Sequence, residues 1–427
     1  MRERLLQIGR WSLWVILFLA IVLRVTYLVK TPYSVREHDV EAHIDYIEYM
    51  AEFGRIPAAA DGWEYYQPPL YYAVSAVLWK AGDSAGWEYD TRLLSVQIFS
   101  VLLSIIFVVI AWWIGRMIFG HKRMEEWEAF VLIIAVFPSL LLTSSRITND
   151  SLAVVMSGLT VAMLLQWYRS GKSRDWYLLA VVLSLALLTK MTAVLFVCVA
   201  LGVFLWKYRA QWRQAVIPLL IFLLIIAALT AWYPAVRFHE NVDRAVIPGV
   251  EGLDPGVLLP TKPMNFLTFN PVKVVEIPYN NPWDDASRRQ YFWEYWFRSA
   301  FLGEWNFEER MMTASRAVLL GGLGLLVFAI VGLWMTVRRG WKAEWWVLPV
   351  VAVGLMLLAG AVGYRFVNTC SCAQDFRYSF PFVIPWGLFA AAGLASLPKK
   401  IRGAGWAWLL LCAAAVVVFF TVLPSMR

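Results

Sequence analysis

Trp11-Ser12-Leu13-Trp14-Val15-Ile16-Leu17-Phe18-Leu19-Ala20-Ile21-Val22-Leu23-Arg24-Val25-Thr26-Tyr27-Leu28-Val29 carries a single charge in nineteen residues. A helix of about 20 apolar residues crosses a hydrocarbon layer about 30 Å thick. Such a block reads as a membrane span, and ten more follow, at roughly 92–118, 128–145, 151–168, 175–189, 191–206, 214–233, 314–337, 344–363, 379–396 and 404–424. Spans of this kind are helices, because a lone strand leaves its backbone polar groups unpaired in lipid. The alternation of a β-barrel is absent. The predicted fold is therefore an all-α polytopic membrane protein of about eleven transmembrane helices. The whole chain has the matching composition, 60% hydrophobic and 16% charged over 427 residues. A soluble domain is about 45–50% apolar and about 25% charged. Arg2, Arg4 and Arg10 before the first block resemble the start of a signal peptide. The block is long and no small-residue cleavage site follows, so it reads as a retained helix.

A net charge of +8 suggests nucleic acid until its placement is read. With the N-terminus inside, the basic residues fall in threes on one side. They are Arg2/Arg4/Arg10, Arg116/Lys122/Arg123, Arg169/Lys172/Arg174, Lys207/Arg209/Arg213, Arg338/Arg339/Lys342 and Lys399/Lys400/Arg402. All sit in short loops near span ends, where the positive-inside rule applies. The charge thus marks a cytoplasmic face rather than a nucleic-acid partner. The C-terminus falls outside. Two long outer loops, 30–91 and 234–313, hold 22 of the 30 acidic residues. Chemistry-capable groups gather on that side. In the second loop Tyr291-Phe292-Trp293-Glu294-Tyr295-Trp296-Phe297 suits a segment lying flat among headgroups.

The first loop contains Glu37-His38-Asp39-Val40-Glu41-Ala42-His43-Ile44-Asp45-Tyr46. Val40, Ile44, Ile47 and Ala51 recur at helical spacing, so a surface helix ends at Gly54. Ser34 and Glu37 have capping-box spacing at its start. Asp39 and His43 are four apart and share one face. Glu48 and Glu52 read as a solvated face. Asp39 and Glu41 are candidate proton acceptors, since carboxylates serve that role in transfer chemistry. Tyr66-Gln67-Pro68-Pro69-Leu70-Tyr71-Tyr72 then opens a second helix, 69–80, too short to span.

These residues resemble the GT-C superfamily of membrane glycosyltransferases, in particular the lipid A aminoarabinose transferases and the protein O-mannosyltransferases. The resemblance rests on an acidic, His-containing helix after the first span and a proline pair followed by Leu70-Tyr71-Tyr72. Later features fall in the same order: Arg146-Ile147-Thr148-Asn149-Asp150 at a helix end, Leu188-Thr189-Lys190 between short helices, and Asp375-Phe376-Arg377-Tyr378 entering a late span. The topology is similar over about residues 1–400, the motifs over 36–72. The resemblance implies one GT-C-like domain over 1–427, with the catalytic motif in loop 30–91. It implies an inverting glycosyltransferase at the outer face of the plasma (inner) membrane. The donor is a dolichyl- or polyprenyl-phosphate sugar, and the acceptor is a lipid, glycan or protein. Family members often carry an adjacent Asp-Glu pair in this loop. Here the order is His38-Asp39-Val40-Glu41, so both carboxylates stand as candidates.

A lipid-phosphate leaving group needs positive charge beside it. Lys190 interrupts an apolar run of more than thirty residues, and ionisable groups at membrane depth tend to be functional. In the resembling family a lysine at this turn meets the donor phosphate. Arg377, Arg365, Arg24 and Arg146 are further candidates, against the plainer reading that long basic side chains reach to the interface. Asn149 and Asp150 read as helix caps, with Asp150 also a candidate substrate contact, as are His43 and Tyr71. Asp39, Glu41 and His43 could hold a divalent cation, the one cofactor the segment suggests. Cys370-Ser371-Cys372 could close a disulfide on an oxidising side. No nucleotide-binding motif occurs, which suits a lipid-linked donor. A lipid or solute transporter and a glycan ligase or polymerase are the rival readings. A transporter tends to carry repeats and midplane polar groups.

Overall fold

The computed structural model describes residues 2–36, 39–239, 255–339 and 344–423. Glu37, His38, residues 240–254 of the second long loop and Lys342 lie outside the described residues. The described chain is built from helices, and its one β-bridge joins Leu258 to Cys370. In order they are α1 (Arg2–Lys30), α2 (Val40–Phe53), α3 (Leu70–Ser84), α4 (Tyr89–Ile118), α5 (Met124–Ala135), α6 (Pro138–Thr143), α7 (Asp150–Ser170), α8 (Ser173–Leu187) and α9 (Val194–Tyr208). Then follow α10 (Trp212–Thr230), α11 (Trp232–His239), α12 (Pro263–Leu267), α13 (Pro271–Glu276), α14 (Phe292–Leu302), α15 (Met312–Arg338), α16 (Val347–Val367), α17 (Val383–Ser396) and α18 (Lys399–Val422).

Nine helical segments among the described residues are long and apolar enough to cross a membrane. The other two predicted spans are shorter. Segment 128–145 is broken at Val136–Phe137, where Pro138 opens α6, because proline has no amide hydrogen for a continuing helix. Segment 175–189 is α8, whose 15 residues rise only about 22 Å. Both pack inside the bundle: α5 against α1, α4 and α17, and α8 against α7 and α10. Large apolar side chains such as Leu220, Leu224, Val327, Ile330, Leu410 and Leu411 face outward. This is a multi-pass membrane protein whose solvent is the bilayer.

Three local readings are corrected. The first surface helix starts at Val40, not after Ser34, and Asp39 occupies its N-cap in the left-handed conformation, with no side-chain cap bond. The apolar face of α2 does not rest on open membrane. Val40, His43, Ile44, Tyr46 and Ile47 are buried, and the helix packs on α3. The aromatic stretch 291–297 does not lie flat either. It enters α14, where Phe292, Tyr295, Trp296 and Phe297 are all buried. Its charged residues are buried too, Glu294 against Arg288 and Arg298 on the Ile277 carbonyl. Its Trp296 ring stacks on Trp386 at 6.0 Å and packs edge-on against Phe376 at 4.9 Å.

The closest helix crossing joins α15 to α17. A Cβ on Gly332 would overlap the carbonyl oxygen of Phe389, and one on Gly393 would overlap that of Phe328. Small residues permit this backbone approach in lipid, where hydrophobic burial does not drive helices together. Gly332→Leu and Gly393→Leu are each expected to cost about 3 kcal/mol, the upper end for overpacking, read as a fall in thermal unfolding midpoint in detergent. Gly202→Ala on α9, which has open space around it, should leave the midpoint unchanged or raise it. Equal effects at the three positions would refute the crossing.

Candidate active site

The break between α8 and α9 places Lys190. Its backbone is extended, and its amide bonds to Ala186 O at 2.9 Å. The ammonium pairs with Asp150, the first residue of α7, and both side chains are largely buried. Asp150 therefore does more than cap. The turn also accepts bonds from other segments. Leu70 N donates to Leu188 O at 2.9 Å, and Asn149 Nδ2 donates to Thr189 O at 3.3 Å and to Gln67 Oε1 at 3.1 Å. The Gln67-Pro68-Pro69-Leu70 segment is thus pinned directly onto the Lys190 turn.

Asp375-Phe376-Arg377-Tyr378 arrives from the other side. Ser299 of α14 accepts from Phe376 N at 2.8 Å, and Trp296 Nε1 donates to Ser379 Oγ at 2.8 Å. Asp375 accepts from Arg377 N at 3.0 Å, and its other oxygen lies 3.7 Å from Arg377 Nε. Arg377 Nη2 donates to the Tyr378 hydroxyl at 2.9 Å, while Lys190 Nζ sits 5.7 Å from the Tyr378 ring centre. Arg377 Nε is buried with no hydrogen-bond partner. A small recess opens here. Asp150, Lys190, Arg377 and Tyr378 form its polar end, and Val154, Leu195, Phe196, Leu357, Phe380 and Pro381 line its apolar walls.

The first loop supplies the acidic side. Trp63 Nε1 donates to Asp39 Oδ1 at 3.0 Å. The left-handed backbone of Asp39 (φ 56°) is uncommon for a residue with a side chain, and such outliers gather at functional sites. Asp39 and His43 do not meet as a side-chain pair. His43 is buried, and its Nδ1 shares a 2.8 Å hydrogen bond with the Tyr72 hydroxyl. Burial pushes the imidazole down to about 3, Asp150 opposes this, and Lys190, Arg146 and Arg377 lower it further. Glu41 is exposed. Tyr71 is fully buried between Tyr72 and Phe99, a packing position rather than a wall of the recess.

Neither Arg24 nor Arg365 lines the recess. Arg24 is used within the bundle: Nε donates to Ser104 Oγ at 2.7 Å, and Nη1 to the carbonyls of Ala20 at 3.1 Å and Ala135 at 2.9 Å. The structure does not bring it to the cluster. Arg365 is fully buried on α16, and none of its guanidinium nitrogens has a hydrogen-bond partner. It follows Tyr364, whose ring packs on Tyr378 at 4.7 Å. Asp39, Glu41 and His43 do not converge as a cation site, because His43 is held by Tyr72 and Asp39 by Trp63. No group of three potential metal ligands occurs among the described residues. Cys370 and Cys372 are joined in a disulfide.

Sequence reasoning missed two carboxyls. Burial, then Asp39, raises Glu64 to about 7. Burial, then Asp375, raises Glu304 to about 8, and Tyr295 donates its hydroxyl proton to this group. Each is a lone acid among aromatic neighbours, Trp63-Glu64-Tyr65-Tyr66 and Glu304-Trp305, and that was the available signal. Arg146, under Trp305 at 5.6 Å, joins the same cluster.

This bundle is similar in fold to solved membrane glycosyltransferases, and part of the chain matches a glycosyltransferase family model. Residues 89–233 match the dolichyl-phosphate-mannose-protein mannosyltransferase family. Among solved structures, ArnT from Cupriavidus metallidurans bound to undecaprenyl phosphate is 14% identical, with TM-score 0.58, over 94% of this chain and 63% of that one. The oligosaccharyltransferase of Archaeoglobus fulgidus in complex with zinc and sulfate is 12% identical, with TM-score 0.58, over 97% of this chain and 54% of that one. The oligosaccharyltransferase AglB from Archaeoglobus fulgidus, with an inhibitory peptide and a dolichol-phosphate, is 11% identical, with TM-score 0.55, over 96% of this chain and 55% of that one. The chain thus spans little more than half the length of these archaeal chains. No curated protein sequence matches the chain.

The low His43 value has a sign. Between about 3 and its ordinary 6.5 the unfolded chain binds a proton that the folded chain refuses. Stability from this group is complete above the ordinary value and is lost as pH falls toward the folded one. The unfolding midpoint should therefore drop between pH 7 and pH 4, and His43→Gln should show a shallower drop. An unchanged slope in the variant would refute this assignment.

Proposed function

We propose that this protein is an inverting glycosyltransferase that moves a sugar from a polyprenyl-phosphate carrier to a lipid, glycan or protein acceptor at the outer membrane face. The observation that carries the reading is the amphipathic recess. Lys190 and Arg377 stand at its head, and apolar side chains of α7, α9 and α16 form its walls. A phosphate at the head meets two cations, and an isoprenoid tail meets hydrocarbon walls. The fold neighbours support this ligand class, since one was solved with undecaprenyl phosphate and another with a dolichol-phosphate. Arg365 stays a candidate cation for the same anionic end, because a buried guanidinium without a partner calls for an anion.

In this reading Asp39 takes the proton of the acceptor hydroxyl or amine, with Glu41 the other first-loop candidate. The acceptor attacks the anomeric carbon in line. The anomeric C–O bond breaks with its electrons on the polyprenyl phosphate, whose charge Lys190 and Arg377 stabilise. No step is routed through a metal ion. A second reading, transfer of a whole oligosaccharide, is supported by the likeness to an oligosaccharyltransferase at TM-score 0.58, the value found for ArnT.

The test offers radiolabelled polyprenyl-phosphate sugars to purified protein in nanodiscs, with total membrane extract as acceptor. Wild type should consume one of them, and Asp39→Asn should fall by at least about 100-fold with folding intact. Activity surviving in that variant would move the base to another carboxylate. No consumption of any monosaccharide or oligosaccharide donor would defeat the reading. Lys190→Ala combined with Asp150→Asn, which leaves no orphan charge, should weaken undecaprenyl phosphate binding about 10-fold or more. Unchanged binding would remove the phosphate from the recess.

A further inference from the structure

Cys370-Ser371-Cys372 lies between the end of α16 and the segment that carries Arg377, and its two sulfurs are joined. A disulfide stabilises a fold mainly by closing a loop in the unfolded chain, and the benefit grows with loop length. This one encloses a single residue, so it constrains the unfolded chain little. Its effect is local: it closes the turn from which Arg377 is hung.

Two routes run from the turn to Arg377. Along the backbone, Cys370 O accepts from Ala373 N at 3.1 Å, and Cys372 O accepts from Asp375 N at 3.2 Å. The Asp375 carboxylate then accepts from Arg377 N at 3.0 Å. Through side chains, Tyr364 and Cys372 pack against the buried cluster of Val257, Cys370 and Ala373. The Tyr364 ring lies 4.7 Å from that of Tyr378, whose hydroxyl accepts from Arg377 Nη2 at 2.9 Å. The turn also anchors the second long loop. Cys370 bridges to Leu258, and Leu259 N donates to Thr369 O at 2.8 Å. Ser371 Oγ donates to Pro282 O at 2.8 Å, and Gln374 Nε2 donates to Arg289 O at 2.7 Å. One covalent bond thus closes the point where α16, the second loop and the Arg377 segment meet.

Resting on the reading of Arg377 as a cation for the donor phosphate, we propose that the Cys370–Cys372 disulfide is a redox-sensitive latch that positions Arg377. A dithiol reductant opens it. The S–S bond breaks, each cysteine sulfur gains one electron and one proton, and the dithiol is oxidised to its own disulfide. Cys370 is buried and Cys372 half-buried, so the attacking thiolate meets Cys372 first. With the bond open, the Cys372 carbonyl is no longer fixed toward Asp375 N, and Asp375 and Arg377 gain freedom together. A guanidinium that each phosphate must order on arrival binds more weakly than one already in place. The cysteine pair acts through Arg377 and does not itself touch substrate.

The test measures binding of radiolabelled undecaprenyl phosphate to the full-length protein in nanodiscs, before and after dithiothreitol. Mass spectrometry of the alkylated protein reports how much disulfide has opened. Reduction should weaken binding about 10-fold, the size of one charge-assisted contact, and reoxidation should restore it. Cys370→Ser combined with Cys372→Ser should bind as the reduced protein does and ignore dithiothreitol. Reduction of wild type needs no variant, and it suffices if the double variant does not fold. Arg377→Gln separates positioning from general loosening: in that variant reduction should cost nothing further. A second loss as large as in wild type would overturn the proposal. A reduced wild type whose unfolding midpoint falls while binding stays unchanged would show a mere staple and overturn it too. Oxidised wild type that binds undecaprenyl phosphate no better than undecaprenol would defeat the phosphate reading, and the latch with it. Binding that responds to Lys190→Ala with Asp150→Asn but not to reduction would overturn the latch alone.

Discussion

The ion pair between Lys190 and Asp150 is what the rest of this end of the molecule is arranged around. A lysine closing an apolar helix cannot stay charged without a counter-charge, and removing one partner of a buried pair costs about 3–5 kcal/mol. That cost draws the start of α7 against the end of α8. It also leaves the carbonyls of Leu188 and Thr189 turned toward neighbours. Leu70 and Asn149 donate to them, so the first long loop is tied to the same point. Once Gln67 to Leu70 is fixed, Tyr72 follows on α3, and His43 bonds to it from α2.

The second long loop reaches the same place by a different force. Its aromatic helix α14 is buried on all sides, and Trp296 packs against Phe376, Phe382 and Trp386. Two hydrogen bonds from this packing, at Ser299 and at Ser379, set the backbone that carries Arg377. The cation opposite Lys190 therefore depends on aromatic burial some eighty residues away in sequence. The glycine crossing of α15 and α17 holds the bundle beneath it. Apolar packing positions the polar groups, and the polar groups leave the recess open between them.

Much of this was legible in the chain. The apolar blocks placed the long helices, and Lys190 stood out because it broke one of them. Arg377 stood out as a cation entering a late span. Asp150 was half-read, since a capping residue and an ion-pair partner look alike until the opposite helix is known. Arg24 was misplaced for the same reason: an arginine in a span reads as functional, and only the positions of Ser104 and Ala135 show where its hydrogen bonds go. The aromatic run 291–297 suits a membrane surface and a protein core equally well by composition. The two short helices were counted as spans because length in sequence does not show where proline or a turn interrupts the rise.

By itself the sequence determined the quantities that are local. These are the length and apolarity of the helices, the side on which basic residues gather, and the residue types able to carry charge in lipid. They follow from transfer energies that each segment meets alone. The tertiary structure decided what depends on two distant segments at once. It paired Lys190 with Asp150, buried Glu64, and left Arg24 to the bundle. A charge in a low-dielectric interior is governed by its few nearest neighbours, and nothing in the order of residues along the chain says which neighbours those will be.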